Sequence, residues 1–139
     1  MKILSSVMLA ASLLASASAF AQGPKDVADA RAAAEHWMKL MDTEEFSAAW
    51  NASAEGMRKG MPKLAWNMLS STLHMPLGAL KTRSYKSSDI KPESISFEYL
   101  ADYENSHNVR ETVTTVHEKD GAWRVSGYNI HSDDKQAQK

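Results

Sequence analysis

The chain has 139 residues, a formal net charge of −1 and no cysteine. That length suits one domain around one core, and the charge balance leaves no overall footprint for nucleic acid or anionic lipid. Without cysteine there is no disulfide, no thiolate-bound metal and no cysteine nucleophile, so packing must hold the domain together.

The first residues, MKILSSVMLAASLLASASAFAQ, have the layout of an export signal. Lys2 is the positive start, Ile3 to Leu14 the short apolar core, and Ala19-Phe20-Ala21 a small-residue cleavage site. Cleavage is expected before Gln22, with Ala17-Ser18-Ala19 as the second choice. No cysteine follows the apolar core to carry a lipid anchor, and no later stretch is long enough to span a bilayer. The expected organisation is a signal peptide at 1–21, one domain at 22–131 and a polar tail at 132–139. The expected compartment is the periplasm.

Asp26 to Met41 has the spacing of an amphipathic helix, with Val27, Ala30, Ala34, Trp37, Met38 and Met41 on one stripe. A second helix starts around MDTEEF, with Asp42 or Thr43 as its N-cap and Phe46, Ala49 and Trp50 buried, and it fades around NASAEG. Gly60 breaks the chain. Pro62 then opens a third helix whose stripe is Leu64, Ala65, Met68, Leu69, Thr72 and Leu73, with Trp66 beside it. The helix ends at His74-Met75 because Pro76 disfavours helical backbone before it.

Strand texture follows. TRSYKSSDI is a first, poorly defined strand closed by Pro92. SISFEYLADY alternates cleanly, with Ile95, Phe97, Tyr99, Ala101 and Tyr103 facing one way. VRETVTTVHE is a β-branched strand, Asp120-Gly121 a hairpin turn and AWRVSGYNI its partner. The pattern predicts an α+β fold of three N-terminal helices packed on a curved antiparallel sheet of about four strands.

The last strand has an irregular parity. Trp123 and Val125 share a face, and strict alternation would turn Tyr128 and Ile130 to the opposite one. A bulge at Gly127 restores all four to one side. Arg124 is then expected outside, near Glu111 or Glu118.

The run ETVTTVHEKDGAWRVSGYNI resembles the C-terminal signature of the bacterial domain-of-unknown-function family 4019. Trp50, Trp66, the segment Pro76 to Arg83 and the Trp37 helix fall at similar landmarks, so the resemblance spans about Val27 to Ile130. This chain departs from the pattern at His74-Met75 and at Asn129. The resemblance implies an exported single domain without established activity. It also implies the cystatin-like cone of nuclear transport factor two, ketosteroid isomerase and scytalone dehydratase. That cone hosts enzymes, ligand binders and interaction modules alike.

Four constellations follow. The first is a cone pocket in which Tyr99, Tyr103 and Tyr128 face an opening lined by Trp66 and His74. Isomerase-type chemistry there requires a carboxylate base in an apolar pocket, whereas Glu98 and Asp102 alternate away from Tyr99. The second is periplasmic copper held by His36, Met38, Met41, Met57, Met61, His74 and Met75, since thioethers suit Cu(I). Against it, His36 and Met38 leave their helix on different sides, and methionine commonly fills cores. The third, a serine nucleophile, lacks any supporting motif. The fourth is an interaction surface: both faces of RETVTTVHE are mixed, which suits a sheet covered by a second copy or another protein.

The sequence therefore favours an exported, non-enzymatic binding or interaction module, with a homodimer through the sheet as one form. The alternatives are a small-molecule or isomerase-like cone and a copper binder. No catalytic residue, metal site, cofactor or nucleic-acid partner is assigned.

Overall fold

The computed structural model describes residues 23–132, which places the expected leader and nearly all of the tail outside the described residues. Four helices precede four strands: α1 (Pro24–Asp42), α2 (Phe46–Asn51), α3 (Glu55–Gly60) and α4 (Lys63–His74), then β1 (Leu80–Ile90), β2 (Ser94–Tyr103), β3 (Val109–His117) and β4 (Trp123–Ser132). A single 3₁₀ turn, Met75–Leu77, joins α4 to the sheet. The strands form one antiparallel meander in the order β1-β2-β3-β4. The strand expectation thus holds, and β4 takes in Ser132, the first residue assigned to the tail. No described helix is long and apolar enough to cross a membrane.

The expected stripe of α1 is buried: Ala30, Ala34, Trp37, Met38 and Met41 pack into the main core, with Val27 at its edge. Asp26 accepts the Gly23 N–H at 3.1 Å, satisfying one of the free donors at the helix start. Helix α1 ends at Asp42, and neither Asp42 nor Thr43 caps α2. The Asp42 carboxylate is taken by Arg83, and Thr43 Oγ1 donates back to the Lys39 carbonyl. Glu44 makes the corner with φ +60°, and Glu45 stands at the N-cap of α2.

The helix count is four rather than three: α2 ends at Asn51, where NASAEG begins, and a further short helix, Glu55–Gly60, follows it. Ser53 makes a parallel bridge to Val125, and the Ala54 N–H donates to the Val125 carbonyl at 2.7 Å. Those bonds dock the chain on β4 and force a separate α3.

Strand β2 buries Ile95, Phe97, Tyr99, Ala101 and Tyr103 in strict alternation. Between β3 and β4, Thr114 pairs with Gly127 and Thr115 with Val125, so Ser126 is the extra residue of a bulge beside Gly127. Across it, Trp123, Val125, Tyr128 and Ile130 lie opposite His117, Thr115, Val113 and Glu111, all on the helix side. The bulge therefore returns all four residues to one face, as their parity required.

The Pro76-Leu77-Gly78 corner also has a physical reason. Leu77 is buried, and Gly78 has φ +74°. A β-carbon there would meet Glu104 Cβ at 2.8 Å in the turn between β2 and β3. Only glycine fits that conformation and approach without strain.

Candidate functional site

The mouth of the cone is filled by the protein's own polar side chains. Glu111 sits on β3 between Val109 and Val113 and is completely buried. Its carboxylate accepts from Tyr128 Oη at 2.6 Å, Tyr103 Oη at 3.0 Å, and Arg83 Nε and Nη2 at 2.9 and 3.2 Å. Arg83 also donates to both oxygens of Asp42, at 2.7 and 2.8 Å, and to Tyr103 Oη at 3.1 Å. One network thus ties α1 to all four strands.

The electrostatics follow from that enclosure. Burial opposes the Arg83 charge, but the Asp42 and Glu111 carboxylates outweigh it, and its pKa lies above the ordinary value. Burial first, and then the Glu111 charge, pushes the Tyr103 and Tyr128 hydroxyls up, so both remain protonated donors. The four donors come from two tyrosine hydroxyls and one guanidinium, three of them on Oε2 and one on Oε1. Chemically, the group cross-links the fold.

The expected pocket residues are only partly brought together. His74 stacks on Tyr128 with ring centroids 6.0 Å apart, Trp37 bridges Tyr128 and Trp66, and Tyr103 joins through Glu111. Tyr99 faces elsewhere: its ring meets Tyr85, and its hydroxyl donates to Glu35 at 3.2 Å. Glu35 is half exposed, so Tyr99→Phe should cost no more than about 1 kcal/mol, read by urea denaturation. As expected, Glu98 and Asp102 point outward. Glu98 pairs with Arg110 at 3.0 Å, and Asp102 accepts the Asn108 N–H.

Sequence reasoning missed Arg83, Asp42 and the role of Glu111. The expectation puts Glu111 or Glu118 beside Arg124 on the outer face. Arg124 holds Glu118 and Asp120, at 3.0 and 2.7 Å, and Glu111 lies inside. The available signal was parity: Glu111 shares the face of Val109 and Val113, and an acid on a core face demands a cation.

Helix α4 carries the largest correction. Its buried residues are Trp66, Ser70 and His74, while Leu64, Met68, Leu69 and Leu73 are exposed by 72, 65, 41 and 42%. The expected stripe points to solvent. Trp66 decides the rotation: its ring packs on Trp37, and its Nε1–H donates to the Phe46 carbonyl at 2.9 Å. Burying that side chain brings Ser70 and His74 in with it at helical spacing. Ser70 Oγ, His74 Nε2 and Asn67 Oδ1 are buried without a hydrogen-bond partner. Round the solvent arc of α4, Leu64, Ala65, Met68, Leu69 and Leu73 are interrupted only by Thr72, and exposed Met75 extends the patch.

His74 makes a pH prediction. Burial lowers its pKa from the ordinary 6.5; Arg83 acts the same way, while Glu111, Asp42 and Glu44 oppose. The unfolded chain therefore binds the extra proton first, and stability falls as pH drops below 6.5 until the folded imidazole titrates. His74→Phe should flatten the difference between urea midpoints at about pH 7.5 and about pH 5. An unchanged difference would remove His74 as its source.

The copper residues do not converge. Met38 and Met41 are core, His74 faces inward, and His36 and Met75 are exposed. Among the described residues, no three His, Asp or Glu are grouped to hold a metal ion. The outer sheet face is polar and internally paired, with Glu98 on Arg110 and Ser96 on Thr114 at 2.9 Å. A cleft of about 700 Å³ lies away from the cone, between α3 and the β3–β4 turn, lined by Glu55, Arg58, Glu118, Asp120 and Arg124 among others.

A helix layer on a curled four-stranded antiparallel sheet, closed by a polar plug, is an NTF-2-like architecture. Solved structures agree. An NTF-2-like protein of unknown function from Silicibacter pomeroyi superposes with TM-score 0.54 at 13% identity, covering 77% of this chain and 97% of that one. Aln2 from a Streptomyces species gives 0.57 at 14% identity, covering 84 and 96%. A protein from Catenulispora acidiphila gives 0.57 at 8%, covering 81 and 95%. At such identities the likeness shows the fold alone. The chain belongs to the family "Protein of unknown function (DUF4019)", whose profile matches residues 33–128. No curated protein matches it.

Proposed function

We propose that this chain is an exported, non-enzymatic interaction module that works through the outer face of α4. The observation that carries the reading is the inverted helix, which buries Ser70 and His74 while Leu64, Met68, Leu69 and Leu73 face water. An apolar surface kept out of the core at the cost of buried polar groups has a use outside the domain. The plugged cone supports the same reading, because the Glu111 carboxylate at its centre is buried and already held by Arg83, Tyr103 and Tyr128. Export rests on the composition of the first 22 residues.

The test is the fluorescence of an environment-sensitive apolar dye, 8-anilinonaphthalene-1-sulfonate, with the folded chain. Met68→Glu and Leu69→Glu should abolish dye binding at unchanged thermal midpoint, and Tyr128→Phe should leave it intact. Dye binding that survives both α4 substitutions and disappears in Tyr128→Phe would overturn the proposal.

A second reading keeps the cone as a site for a small polar molecule, on the strength of the unpartnered Ser70 Oγ and His74 Nε2. Native mass spectra of chain recovered from a periplasmic extract test it. An organic adduct lost in Ser70→Ala would favour the cone, whereas bare chain would count against it.

A further inference from the structure

We propose that Met68 and Met75 form an oxidation site on the α4 face, where a peroxide converts both thioethers to sulfoxides and turns the face polar. The effect on docking rests on the reading proposed above, whereas the oxidation chemistry stands without it. Three observations select these two side chains.

The first is exposure. The methionines of the described residues fall into two groups. Met38 and Met41 are 1 and 2% exposed, and Met57 and Met61 pack partly buried against the same core. Met68 and Met75 are 65 and 70% exposed. Thioether oxidation follows exposure, because the oxidant must reach the sulfur. Met38 and Met41 can react only when the core opens. The chain also has no cysteine, so no thiol of its own competes for the oxidant.

The second is placement. Met75 keeps helical backbone at the C-cap of α4, so it lies two turns beyond Met68 on the same side, ~10 Å along the axis. Both methionines therefore share the exposed side of Leu64, Leu69 and Leu73. Ser71 stands one turn from each and donates its hydroxyl to Met75 Sδ at 3.3 Å. Thioether sulfur is a weak acceptor. A sulfoxide oxygen is a stronger one, so the same hydroxyl keeps a partner after oxidation.

The third is the cost to the fold. A sulfoxide at Met68 or Met75 is solvated and leaves the packing untouched. At Met38 or Met41 it would bury a polar oxygen without a partner. Oxidation is thus directed to the positions where the surface changes and the core does not.

The reaction balances without any further group. The sulfur lone pair attacks one peroxide oxygen, the S–O bond forms and the O–O bond breaks. The proton of the transferred oxygen passes to the leaving hydroxide, which departs as water. Sulfur loses two electrons and the peroxide gains them. A thiol-dependent reductase reverses the change: two thiols become a disulfide, and the sulfoxide oxygen leaves as water.

The experiment treats the folded chain with dilute hydrogen peroxide and follows each methionine by peptide mass mapping. Dye fluorescence and thermal midpoint are read on the same samples. Met68 and Met75 should gain oxygen at least about tenfold faster than Met38 and Met41. Dye fluorescence should fall as the sulfoxides form, at unchanged midpoint. The two stereospecific methionine sulfoxide reductases, with dithiothreitol, should restore it. In a Met68→Leu, Met75→Leu double variant, the treated sample should bind dye as its own untreated sample does. Equal oxidation rates for exposed and core methionines in the folded chain would overturn the site. Dye loss that persists in the double variant would overturn its control of the face. If dye binding follows α4 yet survives complete oxidation of both residues, the docking reading stands and the switch fails. If untreated dye binding ignores α4 while Met68 and Met75 oxidise selectively, the docking reading falls and the oxidation site remains.

Discussion

Replacing Arg83 by alanine is expected to cost about 3–5 kcal/mol of stability, read as a fall in the urea midpoint of the purified chain. The reason is what remains behind. Glu111 is wholly enclosed and would keep only the Tyr103 and Tyr128 hydroxyls, while Asp42 loses a bidentate partner. Asp42 is 14% exposed and can turn toward water, but Glu111 cannot without opening the sheet. Most of the penalty is therefore the uncompensated charge of Glu111 and not the intrinsic worth of the pair.

A double variant separates those two quantities. Arg83→Met with Glu111→Leu removes both buried charges while keeping comparable volume, so it should recover more than half of the loss seen in Arg83→Ala. It should not exceed wild type, because two tyrosine hydroxyls then lack an acceptor. If the double variant is as unstable as the sum of the two single ones, the residues are not coupled and the network is not a unit. The same logic bears on function. A network this costly to interrupt sets the spacing of α1 against the sheet, and its members are poor candidates for proton transfer.

The parts of the fold set by dominant local patterns were legible in the sequence. Helix α1 has five buried apolar residues on one stripe, β2 alternates without exception, and Gly127 explains how Tyr128 returns to the core side. The split between α2 and α3 was not legible, since it comes from the long-range bridge of Ser53 to Val125. Helix α4 misled because two amphipathic readings coexist in it. Periodicity favours Leu64, Met68, Leu69 and Leu73, yet one tryptophan with a satisfied N–H outweighs them and turns the helix round. Glu111 misled for a related reason: its charge read as solvent-facing although its parity matched Val109 and Val113. At both places the local rule failed where the structure concentrates its unusual groups. Such failures gather at functional or strained sites, which directs attention to α4 and the plug.

Trp37→Ala is expected to match Arg83→Ala in size, at about 3–5 kcal/mol, by a different mechanism. Trp37 is 1% exposed and stands where α1, α2 and β4 meet. Its ring touches Trp66 and Tyr128, with centroids 5.8 and 5.1 Å away, and its Nε1–H donates to the Ala49 carbonyl and to Ser53 Oγ, both at 3.0 Å. Truncation empties the largest single volume in the core. It also releases Trp66, the side chain that holds α4 in its inverted rotation. Trp37→Phe keeps most of the volume and loses the N–H, so it should cost about 1–3 kcal/mol. Guanidinium unfolding of both variants, with dye binding measured in parallel, tests the coupling. If Trp66 fixes α4 through Trp37, the alanine variant loses the apolar face as well as stability, and dye binding at α4 weakens under conditions where the chain is still folded. Full dye binding in a destabilised Trp37→Ala chain would mean that α4 holds its rotation through the Phe46 carbonyl bond alone.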